Sequence, residues 1–250
     1  MEILYFGHAC FVVKTKSGTV ICCDPFDASV GYPVFDIAAD AVTISHGHHD
    51  HNAIERVRPN KGGLDVFDEP REYQLPGVTI RGFSSYHDDV QGAKRGENIM
   101  FMIEADALKA LHLGDLGHEL DGDTLRAIGS VDVLMIPVGG YYTIDAAQAE
   151  RVARSIAPGY IVPMHYRTKY SEELPIETEA PFLKLFGAEY IRLSAASGAE
   201  GAARQSFRRF KKNPQEFLPY MDRLIIDKPN DAGEPMIALL TAHDSGRSDI

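Results

Sequence analysis

No stretch of this chain reaches the roughly 18 consecutive apolar residues that a membrane-spanning helix requires, so no such helix and no membrane partner are expected. The opening Met1-Glu2-Ile3-Leu4-Tyr5 lacks a basic segment leading into a long apolar one, the mark of a secretory leader, and the expected location is the cytoplasm. Basic residues are also in short supply. Twenty-five Lys and Arg stand against 36 Asp and Glu, for a formal net charge of −11. Such a surface repels polyanions and disfavours a nucleic-acid partner, although a cationic metal cleft could still grip one phosphate. Cysteine is scarce: Cys10, Cys22 and Cys23 lie in strand-like apolar segments and include an adjacent pair that cannot easily bridge. They read as core thiols of a reducing compartment. No Gly-x-Ser-x-Gly elbow is present to supply a serine nucleophile, and no solenoid period recurs.

What is present fits one α/β domain, because 250 residues can bury a sizeable core. Short β-branched and aromatic runs at 3–6, 11–14 and 19–23, with a Ser17-Gly18 turn, predict a meander. The run at 41–45 predicts a buried strand and 53–58 a short helix ending before Pro59. Further strands are expected at 78–83, 99–104, 108–113, 131–136, 160–163 and 190–193, and a helix from an Asp145 cap through Ala157. Strands dominate early and strand-helix alternation comes later, which predicts two packed sheets with helices outside rather than a doubly wound sheet. An Ala, Ser and Gly-rich segment at 194–203 reads as a linker, giving a domain over 1–195 and an extension over 196–250 packed on that domain or on a neighbouring subunit. That leaves a homo-oligomer open. The extension holds a basic cluster, Arg208-Arg209-Phe210-Lys211-Lys212, which reads as a solvated helix face, and one added strand at 236–240.

The densest chemistry lies in His46-Gly47-His48-His49-Asp50-His51, on the loop after the 41–45 strand. In extended chain, residues two apart share a face, so His46 and His48 can hold one metal ion. Asp50 and His51 follow and can serve a second, about 3.5–4 Å away, the separation used by two-metal hydrolases. Each ion needs further ligands, and three residues sit just beyond apolar strands: His87, Asp115 in a Gly-Asp turn, and His165. The arrangement expected is His46, His48 and His87 on one ion, Asp50, His51 and His165 on the other, with Asp115 bridging. Asp88 could orient His87, and Asp24, ending a strand before Pro25, could fix the His46 loop. His8 and Tyr142 and Thr143 are candidates to line the substrate pocket. His118, three residues past Asp115, is a candidate proton donor. His49 and His112 read as supporting or buried, and His243 carries no signal.

These residues also carry a resemblance. His46-x-His48-x-Asp50-His51, His87, Leu113-Gly114-Asp115 and Met164-His165 resemble the successive motifs of the metallo-β-lactamase-fold hydrolases. Gly7-His8-Ala9-Cys10-Phe11, Asp24-Pro25-Phe26, Gly114-Asp115-Leu116-Gly117-His118, Pro137-Val138-Gly139-Gly140 and Pro163-Met164-His165-Tyr166 resemble a narrower branch of metal-dependent hydrolases akin to ascorbate-6-phosphate lactonase and, more remotely, N-acyl-phosphatidylethanolamine phospholipase D. The resemblance covers about residues 1–195 and leaves the tail unmatched. It implies an αββα four-layer sandwich, two mixed sheets with the metals at one edge, and hydrolysis by a metal-bridging hydroxide held by Asp115. A zinc ion lowers the pKa of bound water to about 7, which makes such a hydroxide available.

The leading expectation is therefore a dinuclear hydrolase of a small ester-like substrate, a lactone or a phosphodiester. Its cofactors would be two divalent ions, zinc first, with manganese and iron also compatible. A nuclease on RNA or DNA is the alternative that the acidic charge argues against. A di-iron electron-transfer site with a flavin partner conflicts with His48, where that branch carries glutamate, and no flavin domain follows. A non-catalytic metal-binding protein is the remaining alternative.

Overall fold

The structure is a computed structural model that describes residues 1–33, 35–60, 62–186, 217–221, 223–230 and 235–240. The first sheet starts with the expected meander, β1 (Glu2–Gly7), β2 (Cys10–Lys14) and β3 (Val20–Cys23), all antiparallel. With β5 (Ala41–Thr43) and β7 (Asp65–Phe67) added in parallel and β15 (Arg223–Ile225) flanking β1, it reads β15-β1-β2-β3-β5-β7.

The second sheet has eight strands. β8 (Glu72–Leu75), β9 (Val78–Tyr86), β10 (Glu97–Ala105) and β11 (Leu108–His112) are antiparallel neighbours. Beyond β11 the sheet turns parallel through β12 (Val133–Pro137), β13 (Tyr160–Met164), β16 (Met236–Leu240) and β14 (Phe217–Met221). Parallel pairs need crossovers, and helices supply two of them: α1 (Gly122–Ile128) between β11 and β12, α2 (Ala146–Ile156) between β12 and β13. In α2, Asp145 accepts from the Gln148 backbone while the Gln148 side chain returns to the Asp145 N–H, a capping box at the place the sequence predicts. A third helix, α3 (Ala180–Leu185), packs against α2.

Three apolar clusters fill the layers. Phe11, Ile21, Ile80, Phe101, Ile103, Val133 and Val162 belong to the core that spans both sheets. Leu111, Leu134 and Ile161 point the other way, under Val152, Ile156, Phe182 and Leu183 of the helices. On the outer face of the first sheet, Leu4, Phe6, Val12 and Val42 pack under Phe26, Tyr32, Phe35 and Ile37. This cover is made of loops, two one-turn 3-10 helices and the two-stranded ribbon β4 (Ile37–Ala39) and β6 (Val57–Pro59). The helix predicted over 53–58 is thus a single 3-10 turn, Ile54–Arg56, running into β6. Three residues are too few to nucleate an α-helix, and the pairing of Val57 with Ile37 competes for the same backbone. The strand expected at 190–193, the basic cluster at 208–212 and His243 lie outside the described residues.

Candidate metal centre

Every expected ligand emerges at one edge of the two sheets. His8 follows β1, the His46 block follows β5, His87 follows β9, Asp115 follows β11 and His165 follows β13. Their potential ligand atoms form three overlapping groups, each within 4.8 Å: His46, His48 and His87; His8, Asp50, His51 and His165; and His46, His51 and Asp115. The first is the expected half-site and the second is the expected partner with one addition. His8 joins the cluster: it is buried, its ring centre lies 4.2 Å from that of His165, and its Nε2 meets Asp50 Oδ2 at 3.1 Å.

Asp115 joins the groups. Its Oδ2 lies 3.3 Å from Nε2 of His51, His87 and His165 alike. Yet His51 Nε2, His46 Nε2 and Asp115 Oδ1 are buried with no hydrogen-bond partner. A buried polar atom left unpaired costs about 1–3 kcal/mol, and several facing one another would be a severe fault unless something else satisfies them. Imidazole nitrogens and carboxylates are the donors zinc takes. The residues present therefore fit divalent ions.

A supporting layer sets the ring orientations. Asp24, fully buried, accepts from Ser45 N at 2.8 Å, Ser45 Oγ at 2.5 Å and His51 Nδ1 at 2.9 Å. His46 Nδ1 sits 2.9 Å from Ser45 Oγ, so the Ser45 hydroxyl, already donating to Asp24, accepts from the imidazole. One carboxylate thereby turns both Nε2 atoms toward the centre, as metal sites generally require. Asn98 does the same for the opposite wall. Its Nδ2 donates to Leu113 O at 2.9 Å and its Oδ1 accepts from Asp115 N at 2.9 Å, which pins the Gly-Asp turn. Gly114 has φ of 55° there, and a Cβ on it would meet Asn98 Oδ1 at 2.4 Å. Of eight described non-glycine residues with positive φ, three sit in or beside the cluster, with φ of 54° at His8, 46° at Asp24 and 49° at His165, a left-handed conformation that costs of order 1 kcal/mol or more outside glycine. The His165 N–H holds two of these together by donating to His8 O at 2.8 Å.

Electrostatics keep the donors in ligand form. Burial, with His165 second, pushes His8 down to about 4, and burial pushes His46 down to about 3. Burial also lowers His87. For Asp115, burial works against ionisation, but His165 and His51 outweigh it and hold the carboxyl well below the usual range. His51 is the exception: burial opposes its charge, yet Asp115 and Asp24 win and raise its pKa. A metal ion would replace that proton.

Other expected roles need correction. His118 has both ring nitrogens engaged by backbone, Nδ1 donating to Glu119 O at 2.8 Å and Nε2 accepting from Tyr86 N at 3.1 Å, and it is not part of the ligand groups. Thr143 is buried and its hydroxyl donates to Ile144 O at 3.3 Å. Asp88 does not orient His87; it gathers the N–H groups of Val90, Gly92, Lys94 and Arg95, which builds the next loop. His49 is exposed. His112 is buried as expected, with Nε2 donating to Ala9 O at 2.9 Å and Nδ1 accepting from Gly114 N at 3.1 Å. Tyr142 does flank the centre, its ring 6.5 Å from that of His165. The sequence reading missed Ser45 and Asn98. The signal for Asn98 was a carboxamide inside an apolar strand, the wrong polarity for its burial.

Two mixed sheets with a histidine-rich carboxylate-bridged cluster at their shared edge define the metallo-β-lactamase fold. The chain belongs to that family: residues 2–165 match the β-lactamase superfamily domain. A UPF0173 protein of Pyrococcus abyssi is 32% identical over 192 residues, 67% of this chain and 84% of that protein. A UPF0173 metal-dependent hydrolase of Thermoplasma volcanium is 26% identical over 193 residues, with the same shares covered. Among solved structures, a candidate Zn-dependent hydrolase of the metallo-β-lactamase superfamily from Thermotoga maritima is 33% identical with a TM-score of 0.70, covering 96% of this chain and 97% of that one.

Proposed function

We propose that this protein is a dinuclear metal-dependent hydrolase of a small ester-like substrate, a lactone or a phosphodiester. The observation that carries the reading is Asp115 Oδ2, equidistant at 3.3 Å from histidines of both half-sites. The relatives described as metal-dependent hydrolases support the reaction class. When bound, the ions would supply hydroxide near neutral pH and polarise the substrate oxygen as Lewis acids.

The chain's own residues do the rest. His46, His48 and His87 would hold one ion; His51, His165 and Asp50, with His8 beside it, the other; Asp115 would touch both. Asp24 and Ser45 fix the two ring orientations so that no reorganisation is needed during reaction. Hydroxyls near the cluster are committed, Ser45 to Asp24 and Thr143 to Ile144 O, which argues against an acyl-serine route. His48 is exposed and Tyr142 half-exposed, so the cluster meets solvent at His48. The acidic surface and the compact cluster favour a small molecule over a polyanion.

The deciding experiment compares metal-loaded protein on a phosphodiester reporter and on a sugar lactone, each with a chelator control. Chelator-sensitive turnover of either supports the reading and selects the substrate class. Silence on both, with two metal equivalents bound, would leave the metal site standing and refute the assigned substrate class.

A further inference from the structure

We propose that Arg95 makes this site selective for substrates carrying an oxyanion, a carboxylate or a phosphate, on the part that does not react. The inference rests on the hydrolase reading above and names what the substrate must bear.

Arg95 is placed by construction. Directly after His87, the Asp88 carboxylate accepts four backbone N–H bonds of 2.8–2.9 Å, the last from Arg95 itself. The loop so built carries the half-buried Arg95 side chain to the loop after β12, where Nη2 donates to Tyr141 O at 2.8 Å. Its Cζ stands 5.8 Å from the ring centre of Tyr142, the ring that faces His165. A positive charge is therefore held one aromatic ring away from the metal ligands.

Among the described residues that charge has no counter-ion. Arg58, Arg71, Arg81, Arg126, Arg151, Arg154 and Arg223 each contact a carboxylate, while Arg56 and Arg167 share with Arg95 the lack of one among the described residues. Arg95 has none within 4.0 Å among the described residues, in a chain with eleven more acids than bases. A guanidinium offers five N–H donors in a rigid fork that matches two oxygens of a carboxylate or phosphate. One hydrogen bond to Tyr141 O aims the fork and, among the described residues, leaves the other donors free. An arginine needed only as a latch between loops would use that one bond and be indifferent to substrate charge.

The test is calorimetric binding of three sugar acids to the zinc-loaded full chain. Gluconate, glucarate and 6-phosphogluconate share one carboxylate for the metals and differ at the far end, which is neutral, a carboxylate or a phosphate. The wild type is expected to bind one charged-end ligand at least about tenfold more tightly than gluconate, the weaker end of what a charge-assisted hydrogen bond gives; the ligand preferred identifies the oxyanion. Arg95→Gln should erase the preference and leave gluconate binding unchanged, while Arg95→Lys retains part of it. A wild type without preference, a preference that survives in Arg95→Gln, or an equal loss for all three ligands would each overturn the proposal, the last assigning Arg95 a latch role. Zinc content and thermal unfolding of both variants check that the centre is intact, and Arg95→Lys decides the matter if Arg95→Gln does not fold. Because binding is read without turnover, failure here is distinct from failure of the hydrolase reading.

Discussion

Asp115 is, among the described residues, the carboxylate that contacts histidines of both half-sites, through Oδ2. Asp115→Asn keeps the shape and removes the charge. Turnover is expected to fall by roughly 100-fold or more, with loss of bound metal and an unchanged circular dichroism spectrum; full activity would overturn the assignment. Asp24 acts at one remove, through His51 and Ser45. Asp24→Asn should weaken metal affinity by about 10–100-fold, measured by competition with a chromophoric chelator, and unchanged affinity would reduce Asp24 to a packing role. The same residues give the metal-free protein an unusual pH dependence. His46 and His8 have folded pKa values depressed to about 3 and about 4, so between those values and the unfolded value of about 6.5 the unfolded chain binds more protons and stability falls as pH falls. His51 is raised, and the stability it contributes is present below about 6.5 and lost as pH rises through its folded value. Urea unfolding of chelated protein should therefore show maximal stability near pH 6.5 to 7, and a flat profile between pH 4 and 8 would contradict the burial assigned to these rings.

At the level of elements, the site is a set of strand ends whose loops must approach one another closely. Gly117, on the loop after β11, shows how tight the fit is: a Cβ there would lie 2.3 Å from Asp88 N and 2.4 Å from His87 C. Both obstacles are backbone, so Gly117→Ala must displace the His87 loop and should lose metal from the half-site of His46, His48 and His87 while the sheets remain folded. Asp121→Ala is the contrasting change. It removes the side chain that accepts from Thr124 N at the start of α1, costing about 0.5–2 kcal/mol of stability and leaving metal content and catalysis intact; an activity loss at temperatures where it stays folded would show that α1 shapes the site. This contrast also explains what the sequence could reveal. Ligands such as His46, His87 and His165 were legible because each is a polar donor placed just after an apolar strand. The fully paired state of His118 was not, because it depends on where the Tyr86 and Glu119 backbones fall in three dimensions. Likewise the strong cap at Asp145 announced α2, whereas the edge strands β7 and β8 (Asp65–Phe67 and Glu72–Leu75) are short and half-polar and gave little periodic signal.

Over the whole molecule, the last described strands belong to both sheets at once. β15 pairs with β1 at Glu2, Ile3 and Leu4, and β16 pairs with β13 at Tyr160 and Ile161. Leu224, Ile226, Met236 and Leu240 enter the core between the sheets, and Ile237 and Leu239 enter the core under the helices. Six large buried apolar side chains contribute on the order of 10 kcal/mol when counted by area, comparable with the entire stability of about 5–15 kcal/mol that a domain possesses. The superfamily domain match, by contrast, ends at residue 165, so that match alone would suggest that everything after the metal ligands is dispensable, whereas the likeness to the Thermotoga maritima structure runs over 96% of the chain. The two views differ in a measurable way. A chain ending at residue 195 keeps every ligand of the centre, yet it exposes the β1 and β13 edges and the core faces that these strands cover, a combination that invites edge-to-edge aggregation. It should be insoluble or unfold without cooperativity, even with zinc present, because an ion can add only RT ln(1 + [L]/Kd), about 2.7 kcal/mol at a concentration 100 times Kd. A soluble 1–195 chain with a sharp thermal transition and a full complement of metal would mean that the strands after 217 decorate a core that is complete without them, and that their burial contributes far less than their area implies.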